Sequence, residues 1–139
     1  MAHVLDLLLS NSDAEMLRRL LADHRRANPS EPDGSDRVAE LMLDARFVAD
    51  DAVPADCIGL GSTVTYRADG GTEYRTVTLV APASAEPSAG RISVLSPIGL
   101  ALIGRRRGAV SEAALPNGRV MKLRVLDAAR ARMPLKAAA

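Results

Sequence analysis

The stretch "SPIGLALIGRRRG", Ser96–Gly108 in a chain of 139 residues, begins as an apolar helix, meets a glycine after a few residues and finishes on Arg105, Arg106 and Arg107. Ser96 suits the capping position, where a hydroxyl accepts from free helix amides. Pro97 fits the first helical turn, where its missing N–H costs nothing. Gly104 supplies the left-handed backbone on which helices commonly end. Ile98, Leu102 and Ile103 then remain to cover a neighbouring surface, and the flanking sequence says which surface that is.

Upstream, "STVTYR" alternates Val64 and Tyr66 with threonines, "ADGG" reads as a turn, and "TEYRTVTLV" places Val77 and Leu79 opposite Thr76 and Thr78. Period-2 alternation around a Gly-rich turn is the signature of a hairpin. "APASAEPSAG" reads as a surface loop from its prolines and small residues, and "RISVL" as a short strand leading into the helix. Downstream, "AVSEAAL", the turn "PNG" and "RVMKLRVLD" make a second hairpin, with Met121, Leu123 and Val125 facing one way. The final "AARARMPLKAAA" is expected to fray at its end.

The first third has helical spacing instead. After an apolar run from Val4 to Leu9, Ser12 and Glu15 form a capping-box pair with Asp13 near the positive helix end. Leu17, Leu20, Leu21 and His24 follow as one stripe. "PSEPDGS" breaks that helix. A second starts at Ser35 or Asp36, with Val38, Leu41, Met42, Ala45 and Ala49 on one face. Two helices joined by such a loop fold back as an antiparallel hairpin; taken as Asp13 to Asn28, the first arm is about 24 Å long. Pro54 marks the change of pattern, so the expected division is an arm over 1–53 and a second domain over 54–139. The fold class expected is α+β: an antiparallel sheet with one short helix packed across it, preceded by a helical arm.

Composition bounds the function. Apolar residues are 47% and charged residues 25%, enough to build a core without disulfides. Net charge is +1 and aromatics are 2%, which supplies neither the basic field nor the stacking platforms of a nucleic-acid binder. Cys57 is the single cysteine, as expected of a reducing, cytoplasmic compartment. The N-terminal run lacks a signal peptide's basic start and cleavage pattern, and no apolar stretch reaches membrane-spanning length. His3 and His24 stand near no nucleophile or carboxylate pair at motif spacing, and the carboxylates show no metal-site spacing, so neither catalytic residues nor a cofactor or metal site is expected.

The fragments "VPADCIGLGSTVTY", "VTLVAP", "RISVLSPIGLALIGRRRG", "LPNG" and "LRVLDA", in that order, closely resemble the carboxyl-terminal domain of the bacterial Gre transcript cleavage factors. The match runs from about Leu5 to Asp127, and the short arm points within that superfamily to the regulators of nucleoside diphosphate kinase (Rnk). Two positions depart from the family's habit: Leu95 stands where Asp or Asn usually precedes Ser-Pro, and Ala109 where an acidic residue usually follows the glycine.

The resemblance implies a fold like the FK506-binding proteins (FKBP-like) for the carboxyl-terminal part and a coiled-coil arm in front of it. It also implies a partner, RNA polymerase, bound near its secondary channel. In Gre factors a long coiled coil carries two acidic residues that help hold a catalytic magnesium; this arm is too short for that reach. The expectation is therefore a non-enzymatic, monomeric regulator that competes with Gre-type factors, docking through Ser96, Pro97, Ile98, Arg105, Arg106 and Arg107. Ser96 to Ile98 also have a plain role as cap, first-turn proline and core residue, and the arginine run as a solvated loop.

Two alternatives differ in class. Glu31, Asp33 and Asp36 at the arm tip would serve a transcript cleavage factor, although an acidic loop broken by prolines is by default a solvated turn. A chaperone or prolyl isomerase would need an aromatic-lined pocket, and Phe47, Tyr66 and Tyr74 are the chain's only aromatics.

Overall fold

In the computed structural model, residues 7–27, 35–115 and 117–130 are described. Their order is β1 (Leu8–Ser10), α1 (Asn11–Ala27), α2 (Ser35–Asp44), β2 (Arg46–Val48), β3 (Thr63–Ala68), β4 (Tyr74–Val80), β5 (Arg91–Ser93), α3 (Pro97–Leu102), β6 (Val110–Ala114) and β7 (Val120–Ala129). The class is α+β. β5, β4, β3, β7 and β6 lie side by side in one five-stranded sheet, while β1 and β2 form a separate parallel pair.

Both expected hairpins are present, with Val64 facing Val77 across β3–β4 and Ala113 facing Met121 across β6–β7. The threonines line the opposite face, where the Thr65 and Thr76 hydroxyls share a hydrogen bond at 2.9 Å. Against β7 the register of β3 slips: Thr65 faces Asp127 but Tyr66 faces Val125, so Leu126 is the extra residue of a bulge. A bulge bends its strand and sharpens the twist, which curls a sheet around what it covers.

The sheet is not wholly antiparallel as expected, because β5 runs parallel to β4. The chain reverses through the Pro- and Ala-rich loop, which carries two short 3-10 turns, Pro82–Ser84 and Pro87–Ala89. Such a crossover returns the chain in its original direction, where a tight hairpin would have reversed it.

One hydrophobic core joins the parts. Val64, Leu79, Leu123 and Val125 from the sheet meet Leu102 and Ile103 from α3, and the same cluster takes in Leu7, Leu9, Ala14, Leu17 and Leu41 from the amino-terminal third. The stripes of α1 and α2 are thus used at the ends nearest the sheet. Their Leu20, Leu21 and Met42 are half-buried, and the outward positions Arg18, Arg19, Leu43 and Asp44 are exposed. The side chain of His24 lies outside the described residues.

Three local expectations are corrected. The cap of α1 is Ser10, whose Oγ accepts from the Asp13 amide at 3.0 Å, and not Ser12 with Glu15. Ser12 instead donates from both its amide and its hydroxyl to the Asp50 carboxylate. α2 ends at Asp44 without reaching Ala49, because Arg46–Val48 is drawn into pairing with β1, Leu9 facing Phe47. Strand structure therefore begins at Leu8, well before Pro54.

Candidate docking edge around the short helix

α3 is built as its residues dictate. The Ser96 Oγ accepts from the Gly99 amide at 3.1 Å and donates to the Ser93 carbonyl at 2.7 Å, tying the helix start to the end of β5. Pro97 follows at the first helical position. Gly99 is required by space, since a Cβ there would overlap the Ser93 carbonyl and the Val94 backbone. Gly104 is required by conformation, with φ at +81°. Ser96, Pro97 and Ile98 sit together, each half-buried, with Ile98 packed against the core.

The arginines lie at the opposite end of a six-residue helix, about 9 Å along its axis. Arg106 Nε pairs with Asp56 Oδ1 at 3.0 Å and Arg107 Nη2 with Asp127 Oδ1 at 3.0 Å. Both cations are therefore compensated by neighbouring carboxylates, which lowers the field the run presents to a partner. Arg105 flanks α3 beside Leu100 and Ala101, in a cleft of about 90 Å³ whose other wall is Arg37, Glu40 and Leu41 of α2. A ligand pocket generally needs about 300 Å³ or more, so this cleft is a seam between arm and body.

The two departures from the Gre pattern have local explanations. Leu95 is half-buried against the core, and its amide is satisfied by the Ser93 Oγ at 3.0 Å. Ala109 lies in the turn into β6, its amide donating to the Arg106 carbonyl at 3.0 Å and its carbonyl accepting from Val125 at 2.9 Å. Of the arm-tip acids, Glu31 and Asp33 lie outside the described residues. The backbone of Asp36 stands in the first turn of α2.

Other groups join the arm to the body. The Cys57 thiol is buried and donates to the Leu8 carbonyl at 3.4 Å; burial pushes its pKa up, so it stays a thiol at neutral pH. Arg37 Nη2 reaches the Glu112 carbonyl on β6 at 3.4 Å. Arg130 Nη2 lies 3.5 Å from Asp13 Oδ2. Sequence reading had Asp13 near the helix start but gave it no partner, because Arg130 is far along the chain in a segment that looks like a tail. The Asp50 carboxyl is held below its usual range by the two Ser12 hydrogen bonds, with a smaller contribution from the Arg130 charge. Among the described residues no group of His, Cys, Asp and Glu could hold a metal ion, and no helix is long and apolar enough to cross a membrane.

Residues 53–130 match the family model described as "Transcription elongation factor, GreA/GreB, C-term". A transcription elongation factor GreA from Thermomicrobium roseum is 48% identical over 64 residues, 46% of this chain and 40% of that protein. One from Roseiflexus castenholzii is 44% identical over 90 residues, 65% of this chain and 57% of that protein. The chain thus spans about half the length of the curated relatives it matches. A solved structure, the prokaryotic transcription elongation factor GreA/GreB from Nitrosomonas europaea, superposes with a TM-score of 0.66 at 32% identity, covering 88% of this chain and 98% of that one. The family model covers the sheet, α3 and the half-buried Ser-Pro-Ile corner together, and on that agreement the chain belongs to the GreA/GreB transcription elongation factor family.

Proposed function

We propose that this protein is a non-enzymatic transcription regulator. It binds RNA polymerase near the secondary channel through its Gre-like body and competes there with longer Gre-type factors. The observation that carries this reading is the Ser96–Ile98 corner, a half-buried apolar edge on a rigid support: its cap and its following glycine are fixed by hydrogen bonds and close packing. An apolar patch whose backbone is already ordered costs little entropy on docking. A site on the rim of a large partner needs that property.

The arm supports the non-enzymatic part. α1 has 17 residues, a rod of about 26 Å, and its first turns are buried in the core, which shortens the free reach further. A short arm of this kind fits the regulators of nucleoside diphosphate kinase within the Gre superfamily. A five-stranded sheet clasping one short helix also suits the FKBP-like description. We place the protein in the cytoplasm as a monomer.

The second reading, a transcript cleavage factor, is favoured by the names of the relatives, which are elongation factors. It would use Glu31 and Asp33. A prolyl isomerase is less well supported, since Tyr66 is the one aromatic in the core and it is buried there. The experiment adds the protein to backtracked elongation complexes, alone and with a Gre factor. The proposal expects no shortened RNA from the protein alone and reduced cleavage by the Gre factor in its presence. Shortened RNA from the protein alone favours the cleavage reading, and undiminished cleavage by the Gre factor removes the competition.

A further inference from the structure

The first turn of α1 and the end of β7 meet in a contact that docking through α3 does not use. Asp13 is buried, and its Oδ2 receives no hydrogen bond. The nearest cation is Arg130, whose Nη2 lies 3.5 Å away. Arg130 is itself held to the loop before β3: its amide donates to the Ala55 carbonyl at 3.3 Å and its Nη1 to the Cys57 carbonyl at 3.2 Å. One guanidinium therefore spans from that loop to the arm.

The site is shaped for this pair. Gly59 lies beneath it, and a Cβ there would overlap Asp13 Oδ2 and come within 2.8 Å of Arg130 Nη1. Any larger residue there would push the two side-chain ends out of this arrangement. The arm is also attached by the Cys57–Leu8, Arg37–Glu112 and Leu8–Gly104 hydrogen bonds at its root and by contact through Leu7, Leu9, Leu17 and Leu41, and hydrophobic contact is non-directional. An ion pair on a buried carboxylate is different, because swinging the carboxylate away from its half-buried cation leaves a buried charge uncompensated. The angle of α1 that brings Asp13 onto Arg130 is the one this pair selects.

We propose that Arg130 is a positioning residue: it latches the helical arm at one angle to the sheet body through Asp13, seated over Gly59. With the latch broken, the arm pivots on the backbone hydrogen bond from Leu8 to Gly104. The inference stands whether or not the body docks on polymerase.

The test uses the full chain with spin labels on Asp23→Cys, in the exposed half of α1, and Glu73→Cys, exposed in the turn just before β4. Cys57 is buried, so labelling is directed to the introduced thiols. Double electron–electron resonance on the parent should give one narrow distance distribution. Arg130→Gln and Asp13→Asn should each broaden it by roughly twofold, as expected when a single pose gives way to an ensemble. Amide exchange in β3, β4 and β7 should stay at the parent level. Arg130→Lys, which keeps the charge but not the fork, should fall between parent and Arg130→Gln, and it serves as the reading if Arg130→Gln does not fold. A parent-width distribution in these variants overturns the latch. Broadening that comes only with loss of protection throughout the sheet overturns it equally, since Arg130 would then be a residue of general stability.

Discussion

The Leu8 amide donates to the Gly104 carbonyl at 2.9 Å, so the glycine that closes α3 also anchors the first strand of the arm. The Gly104 amide in turn donates to the Ile58 carbonyl at 2.8 Å. One residue thus joins helix, arm and body. A Cβ on it would stand 2.7 Å from Leu7 Cδ1 and 3.0 Å from the Leu8 carbonyl.

Gly104→Ala should therefore combine backbone strain with a clash. A non-glycine residue in the left-handed region costs about 1–2 kcal/mol, and displacing Leu7 adds to it. Gly108→Ala is the control, because Gly108 also has positive φ but open space around the missing Cβ. Urea unfolding should show the larger loss at Gly104 by about 1 kcal/mol or more. Equal losses would contradict the anchoring role.

The amino-terminal third should carry core stability. Leu17, on the stripe of α1, is 0% exposed, and Leu43, off the stripe of α2, is 85% exposed. Leu17→Ala is expected to cost about 2–5 kcal/mol, and Leu43→Ala to stay within about 0.5 kcal/mol. If both are silent, the arm's root is not part of the common core.

Much of this was legible from residue patterns, and what was not has a physical reason. Hairpins β3–β4 and β6–β7 were visible because period-2 alternation and glycine turns are local signals. So was the Ser96 cap. β1 and β2 were not, because three-residue strands inside helical-looking sequence leave no period to read. Their pairing depends on two helices bringing Leu9 beside Phe47. The parallel partner of β4 was hidden for the same reason: β5 finds its neighbour through a loop whose path no local pattern encodes. At the candidate site, Ser96, Pro97 and Ile98 sit together because they are adjacent in the chain, a grouping any sequence reading carries. The ion pairs of Arg106 and Arg107 were not legible, because Asp56 and Asp127 are distant in the chain.

Removing the helix cap should loosen α3 without emptying the core. Ser96→Ala deletes both the bond from Gly99 and the bond to the Ser93 carbonyl, and a lost cap costs roughly 1 kcal/mol. Amide exchange at Gly99 and Leu100 should accelerate while Leu123 and Val125 stay protected. Uniform acceleration would mean that the cap supports the whole body.

Asp50 should give the protein an acid-sensitive component. Its carboxyl binds a proton more weakly in the folded state than in the unfolded chain, because Ser12 donates to the carboxylate. Such a group adds stability above the ordinary Asp value of about 4, and the contribution fades as pH falls through the lowered folded value. Asp50→Asn should therefore lower the urea midpoint at pH 7 and lose less of it on acidification than the parent. Parallel acid limbs for the two proteins would remove Asp50 from the account.

The most direct test of the central claim is an equilibrium titration of the labelled full chain with core RNA polymerase, with and without excess Gre factor. The account predicts saturable binding at micromolar or tighter, about −8 kcal/mol, displaced by the Gre factor. It also predicts binding about tenfold or more weaker for Pro97→Glu, which keeps a favourable first-turn residue but charges the docking edge. Absence of saturable binding at micromolar protein, or binding indifferent both to the Gre factor and to Pro97→Glu, would contradict it.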